Sequence, residues 1–396
     1  GEFDAEQDRG AQNTDTATPV LIGARMTGGA PSEYFRGVLD EVALFNVALT
    51  EEEIKSVMTG LAFSEAMHPT PGDGATDVRC DTSLGWTPVD TAMTRNVYFG
   101  TSWEDVNMAS TDTPLGVLVS EGQTETTYTP ENVLTYGETY FWRVDEVNGA
   151  PDYTVFRGKI WSFTAEPYAY PITSPTVEAS SQQAASPAIR TIDGSGLDEF
   201  DQHGTDLKTM WVTPGGLPAW LQYTFDKVYK LHEVWVWNAN SDLELLMGFG
   251  VKDVMIEYST DGETWAQLEN VPQFAQGTGA ATYTANTVVD LGEVMAKHIR
   301  LNISDNWGAT AMVSLSEVRF FYTPAEAFEP NPVDSVAGVD LGATLDWRPG
   351  REATSHEVYF GTDPNALAAD TVTDHSYTPA SMEFGTVYYW KVNEVD

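Results

Sequence analysis

The chain has 396 residues, with 59 Asp and Glu against 20 Lys and Arg and a formal charge of −39. A polyanion of this kind is repelled by nucleic acid and by anionic membrane, and no run of about 20 apolar residues is present to span a bilayer. One cysteine, Cys80, excludes an intrachain disulfide framework, and the length calls for several modules with separate cores.

Aromatic residues make up 12% of the chain, and its 33 Gly and 21 Pro are spread along it, which predicts an all-β protein of short strands joined by turns. The opening Gly1-Glu2-Phe3-Asp4 reads as an arbitrary cut, so the lack of an export signal carries no information. Residues 19–23 and 34–45 read as strands. Thr50 and Glu53 have capping-box spacing, so a short helix carrying Ile54 and Val57 is expected to end near Gly60. The strand Gly37-Val38-Leu39-Asp40-Glu41-Val42 resembles a recurring strand of laminin G-like, concanavalin-type jelly rolls. On that resemblance residues 1–63 are the C-terminal part of such a module, and most of its concave face is missing.

An internal repeat organises the remainder. Leu84-Gly85-Trp86-Thr87-Pro88, Asn96-Val97-Tyr98-Phe99-Gly100-Thr101, Tyr128-Thr129-Pro130 and Tyr140-Phe141-Trp142-Arg143-Val144 recur as Leu345-Asp346-Trp347-Arg348-Pro349, Glu357-Val358-Tyr359-Phe360-Gly361-Thr362, Tyr377-Thr378-Pro379 and Tyr388-Tyr389-Trp390-Lys391-Val392. Period-two alternation predicts half-buried strands in both copies, and the order of landmarks resembles the fibronectin type III module. That implies spacer domains at 64–166 and 325–396. The first copy continues to a closing strand at Ile160-Trp161-Ser162-Phe163-Thr164, whereas the second is read as truncated before its last strand. Its open edge is completed either by chain beyond the cut or by another copy of the protein.

Residues 167–324 differ in character. Strands are expected at 220–225, 231–237, 254–259 and 298–303. Ala188-Ile189-Arg190-Thr191-Ile192-Asp193-Gly194, Thr209-Met210-Trp211, Pro218-Ala219-Trp220-Leu221-Gln222-Tyr223, Tyr258-Ser259-Thr260-Asp261-Gly262 and Leu315-Ser316-Glu317-Val318 together resemble the discoidin, or coagulation factor 5/8 type C, family. The resemblance implies a jelly-roll sandwich whose bacterial members bind sugars at loops on one end. It also implies a structural Ca²⁺ site at Asp193, Thr209 and Glu317, to which Asp198 of the 194–208 insertion is a candidate addition. Sugar recognition needs an aromatic platform and groups that grip hydroxyls. The candidates are His203, Trp237, Asn238, Asn240, Phe249, Asn306 and Trp307. Trp211 and Trp220 fall in motifs that build the family's core and are read as core.

No catalytic motif is present: His-Glu-x-x-His, Gly-x-Ser-x-Gly and a phosphate-binding glycine loop are all missing, and the six histidines are scattered. With 59 acids, paired carboxylates arise by chance. The chain therefore reads as a non-enzymatic, carbohydrate-binding and spacer segment of a large extracellular or cell-surface bacterial protein, with a polysaccharide or glycan as partner. Two alternatives are a structural matrix or filament component that contacts surface proteins or its own copies, and accessory modules of a polysaccharide-degrading enzyme.

Overall fold

A computed structural model describes residues 25–27, 30–32, 54, 65–89, 92–151 and 153–396, and they are almost all β. The chain divides into two units, Gly1–Ser64 and Glu65–Asp396. In the first, β1 (Arg25–Thr27) pairs antiparallel with β2 (Ala30–Ser32). The strands expected at 19–23 and 34–45 lie outside the described residues, as does the expected helix apart from Ile54.

The second unit begins with a sandwich. One sheet takes β3 (Met67–Thr70), β5 (Leu84–Thr87) and β8 (Thr127–Tyr128). The other runs β4 (Ala75–Val78), β11 (Ile160–Ala165), β9 (Thr139–Asn148), β6 (Ala92–Gly100) and β7 (Leu118–Gln123), with β10 (Val155–Phe156) beside β9. Alternation decides which face is inside. Trp161, Phe163 and Ala165 of β11 are buried and pack with Trp86 and Trp142 between the sheets.

The central sandwich contains β12 (Tyr170–Pro171), β13 (Thr176–Ala179), β14 (Trp211–Val212), β15 (Ala219–Asn238), β16 (Val251–Ser259), β17 (Ala266–Gln267), β18 (Thr287–Asn306) and β19 (Ser314–Tyr322). The strands expected at 220–225 and 231–237 are one 20-residue strand, β15. It bends at the exposed Asp226, Lys227 and Val228, where the register to β18 shifts. Its first half pairs with β13 and the later half of β18, which in turn pairs with β16; its second half pairs with the early half of β18 and with β19. Two long bent strands thus pass from one sheet of the sandwich to the other.

The last sandwich repeats the first. β20 (Phe328–Asn331), β21 (Leu345–Arg348) and β24 (Ser376–Tyr377) make one sheet, and β23 (Ala368–Val372), β22 (Ser355–Gly361) and β25 (Tyr389–Val395) the other. The registers correspond: Leu84 lies opposite Tyr128 as Leu345 does opposite Tyr377, and Phe99 opposite Trp142 as Phe360 does opposite Trp390. In both, a tyrosine hydroxyl accepts a bond from the backbone five residues upstream, Tyr140 from Thr135 and Tyr388 from Glu383, each at 2.9 Å.

The three sandwiches meet at a polar junction. Arg348 reaches Asp77 at 3.0 Å and Glu166 at 3.3 Å, Arg79 reaches Asp346 at 2.9 Å, and His375 lies 2.8 Å from Asp81. Arg351 donates to the carbonyls of Pro167 and Tyr168, and Lys230 of the central sandwich pairs with Glu352. These contacts involve the β12 end of the central sandwich.

Candidate functional site

The opposite end of the central sandwich is where the loops gather. Strand registers bring the end of β13, both termini of β15, the starts of β16 and β19 and both termini of β18 to this end. Loops 180–218, 239–250, 268–286 and 307–313 leave from there.

All seven candidate sugar-binding residues fall within this end, but the structure separates their roles. Asn238 is fully buried; its amide nitrogen donates to the carbonyls of Val251 and Ala275, and its oxygen accepts from the amides of Ala239 and Val251. Asn240, also buried, donates to His203, Gly204 and Ala280 carbonyls and accepts from Gly279. Asn306 donates to Thr310 and Met312 carbonyls and accepts from Gly308. Trp237 is buried beneath Arg319, with its indole N–H on the Asp201 carbonyl at 3.0 Å, and Phe249 is buried too. This corrects the expectation that these five side chains grip a sugar: they are out of solvent, and the amides spend their polar atoms on holding loops together.

His203 is corrected on the same ground. It has no exposed surface, and its Nδ1 donates to the Gly204 carbonyl at 2.8 Å, while Nε2 is buried with no hydrogen-bond partner among the described residues. Burial lowers its pKa, so it stays neutral. Gly196, at φ +95°, is required here: a side chain would begin 2.6 Å from His203 Nε2 and 2.7 Å from Thr209 Oγ1.

Trp307 is different, because 38% of it is exposed. Its indole N–H donates to the Phe274 carbonyl at 2.9 Å, which fixes the ring, and Lys252 Nζ lies 5.6 Å from the ring centre. Lys252 is in turn 3.5 Å from Asp305. Beside the ring, the turn α1 (Glu244–Met247) carries exposed Leu245 and Leu246. It lies so close to the Trp307 loop that a side chain on Gly308 would begin 1.8 Å from the Met247 carbonyl. Glu244 holds the turn from below, accepting from the amides of Phe249 and Gly250. A shallow recess of about 170 Å³ follows along the strands, lined by Asp253, Val254, Met255, Val271, Pro272, Gln273 and Ser304. Sequence reasoning did not single out Lys252, Asp305 or the leucines; Leu243, Leu245, Leu246 and Met247, clustered between two strands, are a signal that could have marked the turn.

The candidate cation ligands are partly assembled. Glu317 on β19 is 3% exposed, forms no ion pair among the described residues, and receives only the Gly194 amide at 3.3 Å. Burial pushes its carboxyl up to about 8. Asp193 accepts from the Ser195 amide at 2.9 Å and pairs with Arg190 at 2.9 Å, and the Ser195 hydroxyl lies 3.5 Å from the Thr209 carbonyl. Thr209 Oγ1 donates to the Asp206 carbonyl at 2.7 Å, which leaves its own oxygen free to coordinate. This donor set is all oxygen around one uncompensated buried carboxylate, which suits a hard cation. Among the described residues no three Asp, Glu, His or Cys side chains converge, so carbonyls and hydroxyls would complete the shell. Asp198 Oδ1 accepts from the Phe200 and Gln202 amides of its own turn, and among the described residues it makes no side-chain bond to Asp193, Thr209 or Glu317.

Cys80 is buried, and burial pushes its thiol up to about 11, which removes the thiolate at neutral pH. Among the described residues no helix is long and apolar enough to cross a membrane.

Comparison with protein families matches residues 176–318 to the F5/8 type C domain and residues 1–55 to the concanavalin A-like lectin/glucanases superfamily. No curated protein matches the chain. Among solved structures, a CBM32 module from a family 31 glycoside hydrolase of Clostridium perfringens is 17% identical, with 39% of this chain and 95% of that one covered and a TM-score of 0.31. The family 32 module of C. perfringens NanJ, in complex with galactose, is 18% identical over 39% of this chain and 98% of that one, with a TM-score of 0.29. The CBM32 of AlyQ, in complex with 4,5-unsaturated mannuronic acid, is 20% identical over 39% and 97%, with a TM-score of 0.26.

Proposed function

We propose that the chain is a non-catalytic carbohydrate-binding and spacer segment of a larger secreted or cell-surface bacterial protein, with the glycan held against Trp307 at the loop end of the central module. One observation carries this reading: a half-exposed indole, fixed by its bond to Phe274 and bordered by Lys252 and Asp305, stands at the loop end of an F5/8 type C match. A pyranose offers CH patches to such a ring and hydroxyls to the charged groups beside it. The loop end faces away from the junction, so the flanking sandwiches leave it open to a large polymer.

The flanking sandwiches serve as fibronectin type III-like spacers in this reading. The bonds to Tyr140 and Tyr388 support it, because a tyrosine anchored to backbone just upstream of its strand is a hallmark of immunoglobulin-like sandwiches. Ca²⁺ is the cation proposed for Asp193, Thr209 and Glu317, where it would compensate the buried carboxylate and brace the loop that covers it. The test is a glycan array probed with the whole chain and with Trp307→Ala. Retention of glycans by the chain and their loss in the variant is the expected result, and a chain that retains none overturns the reading.

A further inference from the structure

The central sandwich has a second feature, built on strands away from the loop end and completed by Trp265 of the turn between β16 and β17. In the sheet formed by the first half of β15, the later half of β18 and β16, Leu221, Tyr223, Ile299 and Leu301 point into the core, so Trp220, Gln222, Arg300 and Asn302 point out. Trp220 lies opposite Asn302, Gln222 opposite Arg300, and Arg300 opposite Glu257. The Arg300 guanidinium lies 4.1 Å from the Trp265 ring centre and 5.9 Å from that of Trp220, and it donates to the Gln222 side-chain carbonyl oxygen at 2.7 Å. Asn302 donates to Glu257 at 2.8 Å. Each aromatic ring is partly exposed and held by its neighbours. The Gln222 amide nitrogen and the Asn302 amide oxygen have no protein partner among the described residues. The strip runs on through Met255 and Ser304 into the recess below Trp307.

We propose that this outer sheet face is a second binding surface, for a neutral polysaccharide chain lying across the strands from Trp220 to Trp265. The inference rests on the carbohydrate reading of the module, but not on Trp307. From Trp220 on β15 past Arg300 on β18 and Glu257 on β16 to Trp265 the face extends about 15 Å at about 4.8 Å between strands, long enough for a short run of pyranose units. Its chemistry alternates rings with amide and carboxylate groups, as the faces and edges of a sugar chain do. Arg300 is its cation, matched by Glu257 at 3.8 Å, and Glu178 lies at the edge opposite Gln222. With Glu257 beside Arg300 and Glu178 at the edge, the strip carries no net positive charge to attract a polyanion.

Affinity electrophoresis of the whole chain through gels containing galactan, β-glucan, galactomannan or polygalacturonate tests this directly. At least one neutral polymer should retard the wild type, and polygalacturonate should not. The double variant Trp220→Ala/Trp265→Ala should weaken that retardation by a factor of ten or more. Gln222→Ala/Asn302→Ala, which leaves both rings in place, should weaken it severalfold with an unchanged melting temperature. If Trp307→Ala removes all retardation while both sheet-face variants behave as wild type, the sheet-face proposal is overturned and the loop-end reading stands. Loss in the sheet-face variants with Trp307→Ala unaffected supports the sheet face and overturns the loop-end site instead. Retardation by polygalacturonate alone, or by no polymer, also overturns the sheet-face proposal.

Discussion

Glu166 and Arg351 approach to 2.9 Å with their side chains 8% and 2% exposed, and the pair joins the end of the first sandwich to the last one. Glu166 also accepts from the Cys80 amide at 3.0 Å and lies 3.3 Å from Arg348, while Arg351 stacks 4.7 Å from the Tyr136 ring centre. A buried pair with its remaining groups satisfied adds little net stability, but removing one partner leaves a charge stranded. Arg351 also donates to the Pro167 and Tyr168 carbonyls and Lys230 pairs with Glu352, so all three sandwiches are tied at this junction.

Arg351→Ala is therefore expected to cost on the order of 3 kcal/mol, the lower end for breaking a buried pair, because Arg348 still faces Glu166. Urea denaturation should show the loss. Small-angle scattering should show a larger radius of gyration as the last sandwich swings free, and an unchanged radius would mean that other contacts hold the junction.

Calcium should raise the melting temperature, because a ligand that binds only the folded chain stabilises it by mass action, by about 2.7 kcal/mol at a hundredfold excess over Kd. Glu317→Gln should abolish the shift seen between EDTA and millimolar Ca²⁺. Equal melting curves of the wild type in the two buffers would remove Ca²⁺ from the account.

The repeated sandwiches were legible because their signal is local. A buried Trp on an early strand, a Tyr and a Trp on a late strand and period-two alternation are all written in short runs, and Trp86, Trp142 and Trp347 are buried as that pattern implies. The loop end was legible as a place but not as a surface. Asn238, Asn240 and Asn306 have the chemistry that grips hydroxyls, and the same amides cap carbonyls; the choice depends on long-range neighbours such as Ala275 and Ala280. Trp220 was read as core, and the structure puts it on the outer face. Parity could have shown this, since Leu221 and Tyr223 lie on the core side of the same strand and Trp220 is out of phase with them.

Acid should affect the α1 turn through Glu244. Its side chain is fully buried, and burial, offset in part by bonds from Gly250, Gln276 and Phe249, raises its pKa to about 6 from 4.5. A carboxyl whose folded pKa is raised binds its proton more tightly in the folded state. Its contribution is therefore most favourable below about 4.5 and declines as pH rises to about 6, a change on the order of 2 kcal/mol. Glu244→Gln lacks this titration. Its stability relative to wild type should rise between pH 4.5 and 7, whatever its absolute value, and a flat difference would show that Glu244 does not titrate there.

The aromatic platform makes the sharpest prediction about binding. Trp307→Ala removes the exposed ring and should weaken a glycan found by array by a factor of ten or more, about 1.4 kcal/mol, in calorimetric titration. Trp307→Phe keeps a ring but loses the bond to Phe274, so it should fall between the two. Asn306→Ala acts by another route. Its amide ties Thr310 and Met312 to the loop, so the variant should lower the melting temperature and loosen the loop, with affinity falling only as far as the Trp307 ring loses its fixed position. Were Asn306→Ala to abolish binding with the melting curve intact, the buried amide would be a direct sugar ligand and the division of roles drawn for this site would be wrong.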